Sequence, residues 1–308
     1  MPVPLLTTPR PFGAHGVCLA LGFFDGIHLG HQHVIRQAKM DARTRGASTV
    51  VATFDPHPLT VVRPDKAPRL LQSLHQRIAA IEAQGADAVL VLCFDEVLSQ
   101  KTGEAFVRDL VHGFGGLRSF TVGQGFHFGH GRSGNVPLLR TLGRELGFSV
   151  NAVAPIHIGA EIVSSTRVRS ALREGKLNQV AELLGRPYSI AGTVVRGDQL
   201  GQSLGFPTAN IPVDGLELPP FGVYAARARH AGGEFPAAVN LGLRPTLQST
   251  QPQLRFEAHL MGFQGDLYGK ELSVELVSFL RPERRFAHLE ALKAQIVKDT
   301  AAAQKALS

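Results

Sequence analysis

Between residues 17 and 155, short apolar runs alternate with stretches whose apolar residues recur every three or four positions. The runs Val17–Leu21, Thr49–Phe54, Ala88–Phe94, Ser119–Val122 and Ser149–Pro155 have the length and composition of buried strands. Helical spacing fills the gaps. One stretch, from about His31 to Arg45, carries Val34, Ile35, Ala38 and Ala42 on one face and stops at Gly46. A second has Leu74, Ile78 and Ile81 on one face and ends at Gly85. A third holds Ala105, Phe106, Leu110 and Val111, and a fourth runs from about Val136 to Leu146 before Gly147. Alternating β and α units predict an α/β domain, with a parallel sheet covered by helices on both faces.

After Gly185-Arg186-Pro187 the pattern changes. Tyr188–Arg196, Val223–Arg229, Phe235–Leu241, Leu254–Met261 and Leu272–Phe279 are strands separated by turns, and they predict a small antiparallel β-barrel. A closing helix is expected to place Phe286, Leu289, Leu292 and Ile296 on one stripe against the barrel. The predicted domains are therefore 1–186 and 187–308.

Ligands of parallel sheets sit beyond the carboxyl ends of the strands. After the first strand comes Gly22-Phe23-Phe24-Asp25-Gly26-Ile27-His28-Leu29-Gly30-His31, read as a glycine loop with a helix opening at His31. Glycines let a phosphate approach the backbone, and a helix N-terminus presents unsatisfied N–H groups. The plain alternative is a ligand-free connection, but two histidines in an H-x-G-H frame favour the phosphate reading. The next loop, Phe54-Asp55-Pro56-His57-Pro58, is stiffened by two prolines; it fits a rigid turn or the wall of a flat-ring pocket. Gly123 to Arg132 sets Phe126, His127, Phe128, His130 and Arg132 among glycines. There Phe126 suits the core, and Phe128 with His130 and Arg132 suits a ring and an anion. Val163-Ser164-Ser165-Thr166-Arg167-Val168-Arg169 opens a further helix, where hydroxyls can cap N–H groups or hold phosphate.

In the barrel, Gly197 to Asn210 places Gly197, Gly201 and Gly205 before Pro207, Thr208 and Asn210. Thr208 and Asn210 lie two residues apart, on one face of a strand, and both offer hard oxygen ligands suited to Mg²⁺. A glycine-rich hairpin with polar ends is the plain alternative. In Leu254-Arg255-Phe256-Glu257-Ala258-His259-Leu260, Glu257 and His259 share one face.

The 308 residues carry a formal net charge of +7, which suits a protein that holds polyanions without separating nucleic acid from phosphate ligands. Arg281, Arg284 and Arg285 form the densest basic cluster, beside a helix start. Cys18 and Cys93 lie in apolar runs and are expected to be reduced core residues. No apolar run reaches the ~20 residues that span a bilayer, and the N-terminal prolines do not read as a secretory signal. The expectation is a soluble cytoplasmic protein without membrane or nucleic-acid partners.

Together these stretches resemble the bacterial bifunctional riboflavin kinase/FAD synthetase family, over nearly the whole chain. Gly22 to His31, Phe54 to Pro58, Gly123 to Gly129 and Ser164 to Arg169 are similar to its adenylyltransferase signatures. Gly197 to Asn210, Asn240 to Thr246, Glu257, Asp266 to Lys270 and the Leu292–Ile296 helix are similar to its riboflavin kinase signatures. The resemblance implies a Rossmann-like nucleotidylyltransferase domain followed by a kinase barrel, with riboflavin, FMN, FAD and ATP as ligands, Mg²⁺ as cofactor, and a monomer or weak homo-oligomer. Glu257 is implied as general base, and Thr208 and Asn210 as holders of Mg²⁺. Gly197, Gly201, Gly205 and Pro207 are implied to cover the kinase ATP. Gly22, Phe24, Asp25, Gly30, Ser164, Ser165 and Thr166 are implied to bind the adenylylation ATP, with His28, His31 and Arg167 stabilising charge. Phe54, Pro56, His57 and Phe128 are implied to border the flavin.

Three departures stand out. The family usually has Asp or Asn at Gly125, an Asp at Gly262 and an acidic residue at Pro282. The first leaves open a kinase with weak or absent FAD formation. A basic nucleic-acid binder is the remaining rival, and the absence of Trp and the three Tyr argue against a base-stacking surface.

Overall fold

The computed structural model describes residues 3–197, 201, 204–244 and 253–308. Contacts divide the chain into two compact units, Met1–Arg69 with Leu74–Ser165, and Leu70–Ser73 with Thr166–Ser308.

The first unit contains a six-stranded, all-parallel sheet of β1 (Leu5–Leu6), β2 (Val17–Leu21), β3 (Ser48–Asp55), β4 (Ala88–Cys93), β5 (Leu117–Gly123) and β6 (Ser149–Val153). The order is β1-β4-β3-β2-β5-β6. From β2 the chain steps one way to β3 and β4, and later the other way to β5 and β6. The carboxyl ends of β2 and β5 therefore flank the point where the winding reverses, the place in such sheets where ligands bind. Alternate residues of β2 serve opposite faces. Val17, Leu19 and Leu21 join Phe106, Leu110 and Leu139, whereas Ala20 joins Val34, Ile35 and Ala38.

The covering helices are α1 (Leu29–Arg45), α2 (Pro58–Val62), α3 (Leu74–Ala83), α4 (Glu96–Gln100), α5 (Gly103–Phe114) and α6 (Val136–Leu146). Side chains of Thr102 and Asn135 cap α5 and α6, and Gly46, Gly115 and Gly147 end α1, α5 and α6 in the left-handed region. A short hairpin, β7 (His157–Ile158) with β8 (Glu161–Ile162), completes this unit. Cys18 is buried as expected, but Cys93 is exposed, because it closes β4 where the strand leaves the sheet.

The second unit begins within the first turn of α7 (Ser165–Arg173), followed by α8 (Leu177–Leu184). Its sheet comprises β9 (Ser189–Thr193), β10 (Ala209–Asn210), β11 (Gly222–His230), β12 (Gly233–Arg244), β13 (Gln253–Leu260) and β14 (Glu271–Pro282), all antiparallel, in the order β10-β13-β12-β11-β14-β9. A bridge from Val195 to Asn210 joins the two edges of this sheet, so the strands curl into a barrel-like layer. Leu70–Ser73 belongs here because the buried Tyr188 hydroxyl donates to the carbonyls of Leu71 and Glu217, and Leu70 pairs with Leu216.

The C-terminal helix (Leu289–Leu307) packs on this sheet, capped by the His288 side chain. Its inward face differs from the expected stripe. Leu289 is 53% exposed, whereas Phe286, which precedes the helix, lines a cavity together with Leu292, Ile296, Asp299 and Thr300, and Ala303 is buried. A hydrophobicity stripe misses this register because Asp299, an ion-paired residue, supplies one of the inward positions.

Candidate active sites

In the first unit the Gly22–His31 loop takes a conformation that bulky L-residues avoid: Phe24, Gly26 and Ile27 have φ of +58°, +84° and +42°. Both bulky side chains are anchored in the core, at 1% and 0% exposure. The Phe24 side chain is therefore turned into the core, and only its backbone faces the loop. The helix opens earlier than expected. His28, not His31, is the N-cap of α1, and its Nδ1 accepts the His31 amide at 3.3 Å. That bond places the proton of a neutral His28 imidazole on Nε2. The rings of His28 and His31 stack at 3.6 Å. A Cβ on Gly30 would lie 3.1 Å from the His28 ring, and one on Gly22 would lie 3.0 Å from Phe24, so both glycines leave room for the rings. Asp25 is buried, and its carbonyl accepts from the Ser165 hydroxyl at 3.0 Å, which brings the start of α7 to this loop. Ser164 precedes Ser165, and Thr166 and Arg167 follow it in the first turn, where Thr166 is exposed and Arg167 half-buried.

The rings expected at the flavin sort differently. Phe54 and Phe128 are both core residues, at 6% and 8% exposure, packed on Phe106. Phe126, expected in the core, is half-buried and stacks on Phe128. Pro56 is exposed and His57 half-buried. His57 caps α2 and meets the Phe23 ring edge-on at 4.2 Å. Gly125 is exposed, and a Cβ added there meets nothing within 4 Å.

Arg77 is a residue that the sequence reading passed over. It lies between Leu74 and Ile81 on the apolar face of α3, and its side chain is entirely buried. Nη2 donates to the Phe54 carbonyl at 2.9 Å and Nη1 to the Phe23 carbonyl at 3.4 Å. The guanidinium also lies 4.4 Å above the Phe23 ring and 3.5 Å from Asp55. Burial pulls its pKa down, while the charges of Asp55 and Asp25 push it back up. A cation inside an otherwise apolar helical stripe was the available signal.

In the second unit the chemistry is laid out by strand register. Asn210 of β10 pairs with Glu257 of β13, Glu257 with Asn240 of β12, Asn240 with Val223 of β11, and Val223 with Arg281 of β14. Directly paired residues face the same side of a sheet, so this row forms one polar band. Most of it lines a cavity of about 410 Å³, within the range of small-molecule sites. Phe256 and Ala258 alternate with Glu257 and are buried, as their spacing predicts. Glu257 Oε1 accepts from Arg255 at 3.1 Å.

Thr208 lines the same cavity. A ring nitrogen of His259 lies 2.9 Å from the neighbouring Pro207 carbonyl. Cβ atoms on Gly197 and Gly201 would lie 2.5 Å from the Asn210 amide and 2.4 Å from the Phe206 carbonyl, and Gly205 has φ +89°. A side chain at Gly197 would displace Asn210 of the polar band, one at Gly201 would strike the Phe206 backbone, and Gly205 holds a left-handed conformation that suits glycine. Asp198, Gln199, Leu200, Gln202, Ser203, Pro245 and Thr246, which belong to the glycine-rich and Asn240 stretches, lie outside the described residues.

The far wall is fixed by a bidentate ion pair: Arg281 Nε and Nη2 donate to Asp299 at 2.8 and 2.6 Å, and Gln295 adds a third bond at 2.7 Å. Among the described residues no group of three acidic, His or Cys side chains could hold a metal alone. Thr208 and Asn210, both neutral oxygen donors, suit a Mg²⁺ whose remaining ligands are phosphate and water.

The chain joins a parallel sheet with a histidine-capped helix start to a curled antiparallel sheet whose polar band lines a cavity, and each half matches the family model of a transferase. The family model for FAD synthetase matches residues 13–167 and that for riboflavin kinase matches 184–307. Bifunctional riboflavin kinase/FMN adenylyltransferases are similar along the chain. That of Escherichia coli K12 is 38% identical over 94% of this chain and 92% of its own length, and that of Pseudomonas fluorescens is 39% identical over 94% and 93%. The protein of Listeria monocytogenes is 36% identical over 91% and 89%. A solved structure from Streptococcus pneumoniae, described as a macrolide-efflux protein, shares the fold, with TM-score 0.81 and 24% identity over 99% of both chains. No helix among the described residues is long and apolar enough to cross a membrane. The chain belongs to the bifunctional riboflavin kinase/FMN adenylyltransferase family.

Proposed function

We propose that the chain makes FAD in two ATP-dependent steps, with residues 187–308 phosphorylating riboflavin and residues 1–186 adenylylating the FMN formed. In the kinase step, the terminal ribityl oxygen forms a bond to the γ-phosphorus of ATP, the β–γ bridging bond breaks, and ADP leaves. Glu257 takes the hydroxyl proton, a role that needs hydrogen-bond reach to the substrate oxygen. Its place between Asn210 and Asn240 in the polar band is the single observation that carries this assignment. Thr208 and Asn210 would hold Mg²⁺, which neutralises charge on the phosphates when bound. Gly197, Gly201, Gly205 and Pro207 would let the backbone approach the same phosphates.

In the adenylylation step, an FMN phosphate oxygen attacks the α-phosphorus of a second ATP and pyrophosphate leaves. The nucleophile is already an anion, so no protein base is required. His28 through Nε2, His31, Ser164, Ser165, Thr166 and Arg167 would stabilise the charge that develops on the triphosphate. Gly22, Gly30 and the backbone at Phe24 and Asp25 would admit it to the start of α1. His57 and Pro56 would border the flavin, and Phe54 and Phe128 would support that wall from the core. Purified protein supplied with riboflavin, ATP and Mg²⁺ should yield FMN and then FAD by chromatography, and FMN with ATP should yield FAD directly. FMN without any FAD would refute the second step.

A further inference from the structure

We infer that Arg77 is a positioning residue for FMN adenylylation, clamping the two loops that follow β2 and β3 through one buried guanidinium; this rests on the adenylyltransferase reading above. The Gly22–His31 loop passes through Phe24 and Ile27 with positive φ. Such conformations are strained and persist only where neighbours over-determine them. The peptide carbonyl that precedes Phe24 is that of Phe23. It accepts both the Thr53 hydroxyl, at 2.7 Å, and Arg77 Nη1, at 3.4 Å. The same guanidinium reaches the Phe54 carbonyl, at 2.9 Å, and Asp55, the last two residues of β3, from which the His57 loop departs.

Phe23 closes the circuit. Its ring lies beneath the cation at 4.4 Å and against the edge of His57 at 4.2 Å. The His28 end of one loop and the His57 end of the other are thus referenced to a single planar fork. Guanidinium geometry matters here, because one cation must donate in two directions while presenting a flat face to an aromatic ring. Misplacement of a reacting group by about 1 Å costs ~10²-fold in rate. The clamp should therefore act on kcat more than on the binding of either substrate.

The test uses the full chain with Arg77→Lys and Arg77→Met. Steady-state FMN adenylylation is measured against ATP and FMN, with riboflavin phosphorylation and thermal unfolding measured on the same preparations. The inference expects kcat for FAD formation to fall about 10-fold in Arg77→Lys and about 100-fold in Arg77→Met. Both KM values should stay within 3-fold and the kinase rate within 2-fold. Lys keeps the charge and loses the fork, so a wild-type kcat in Arg77→Lys would overturn the clamp. Unchanged kcat per folded molecule with a lowered Tm would leave Arg77 a structural residue only and would also overturn it, with Arg77→Lys deciding if Arg77→Met does not fold. Wild-type protein that makes no FAD would instead overturn the underlying reading, and the clamp with it.

Discussion

The two units of this chain handle phosphate by different constructions. In the first, the groups proposed to meet the triphosphate come from loops at the carboxyl edge of a parallel sheet: His28 caps α1, and Ser165, far along the chain, ties the start of α7 to Asp25. In the second, they come from separate antiparallel strands and meet only because the register aligns Asn210, Glu257 and Asn240. A loop site tolerates drift in the sheet beneath it but depends on local backbone conformation. A register site tolerates loop variation but fails if one strand slips, since a one-residue shift turns every side chain to the other face.

This difference predicts separable failures. Glu257→Gln should lower riboflavin phosphorylation by roughly 10²- to 10⁴-fold, the usual contribution of a general base, and leave FMN-to-FAD conversion unchanged. Equal loss of both in folded protein would refute the division of labour. His28→Ala should lower FAD formation by about 10²- to 10³-fold, as removal of a charge-stabilising donor does, with riboflavin phosphorylation intact.

Asp299→Ala should strand the Arg281 guanidinium on the cavity wall. Breaking such a pair costs up to about 3–5 kcal/mol when fully buried; the side chains here are 19% and 10% exposed, so the loss should be smaller. Denaturant unfolding should show it in the second unit, accompanied by a raised KM for riboflavin. The double variant Arg281→Met/Asp299→Leu should recover stability but not KM.

Gly125→Asp is the mildest change, because the added Cβ meets open space. One new hydrogen bond to substrate is worth roughly 0.5–1.5 kcal/mol, so FAD formation should rise about 2- to 10-fold. An unchanged rate would show that the loop does not use a polar side chain there.

The same contrast explains what the sequence could reveal. The β–α alternation, the helices α1, α3, α5 and α6, the helix opening near Ser165 and the closing helix were legible because their signals are local: periodicity, caps and glycine stops. The start of α1 reads late, at His31, because His28 caps it. The pairing of Glu257 with Asn210 and Asn240 was not, since register is a long-range property. Strand spacing picked out Asn210 as a Mg²⁺ ligand, but only family resemblance gave Glu257 its role and pointed to Asn240. Phe128 looked like a ring for a ligand because it stands among glycines, yet Gly134 packs beneath it and it enters the core. Arg77 hid within an apolar stripe, and Asp299 interrupted one. In both cases a charged side chain occupies a position that hydrophobic patterning assigns to the interior, and its partner lies elsewhere in the chain. The two-residue strand β1 carries too few residues to show any period.

The most direct test of the two-site account is a paired assay on one polypeptide, in which wild type, Glu257→Gln and His28→Ala are each supplied with riboflavin or with FMN, plus ATP and Mg²⁺. The account predicts that Glu257→Gln makes FAD from FMN at the wild-type rate but FMN from riboflavin at least about 100-fold more slowly, and that His28→Ala makes FMN from riboflavin at the wild-type rate but FAD at least about 100-fold more slowly. Loss of both products in either folded variant, or FAD formation by His28→Ala at the wild-type rate, would contradict it.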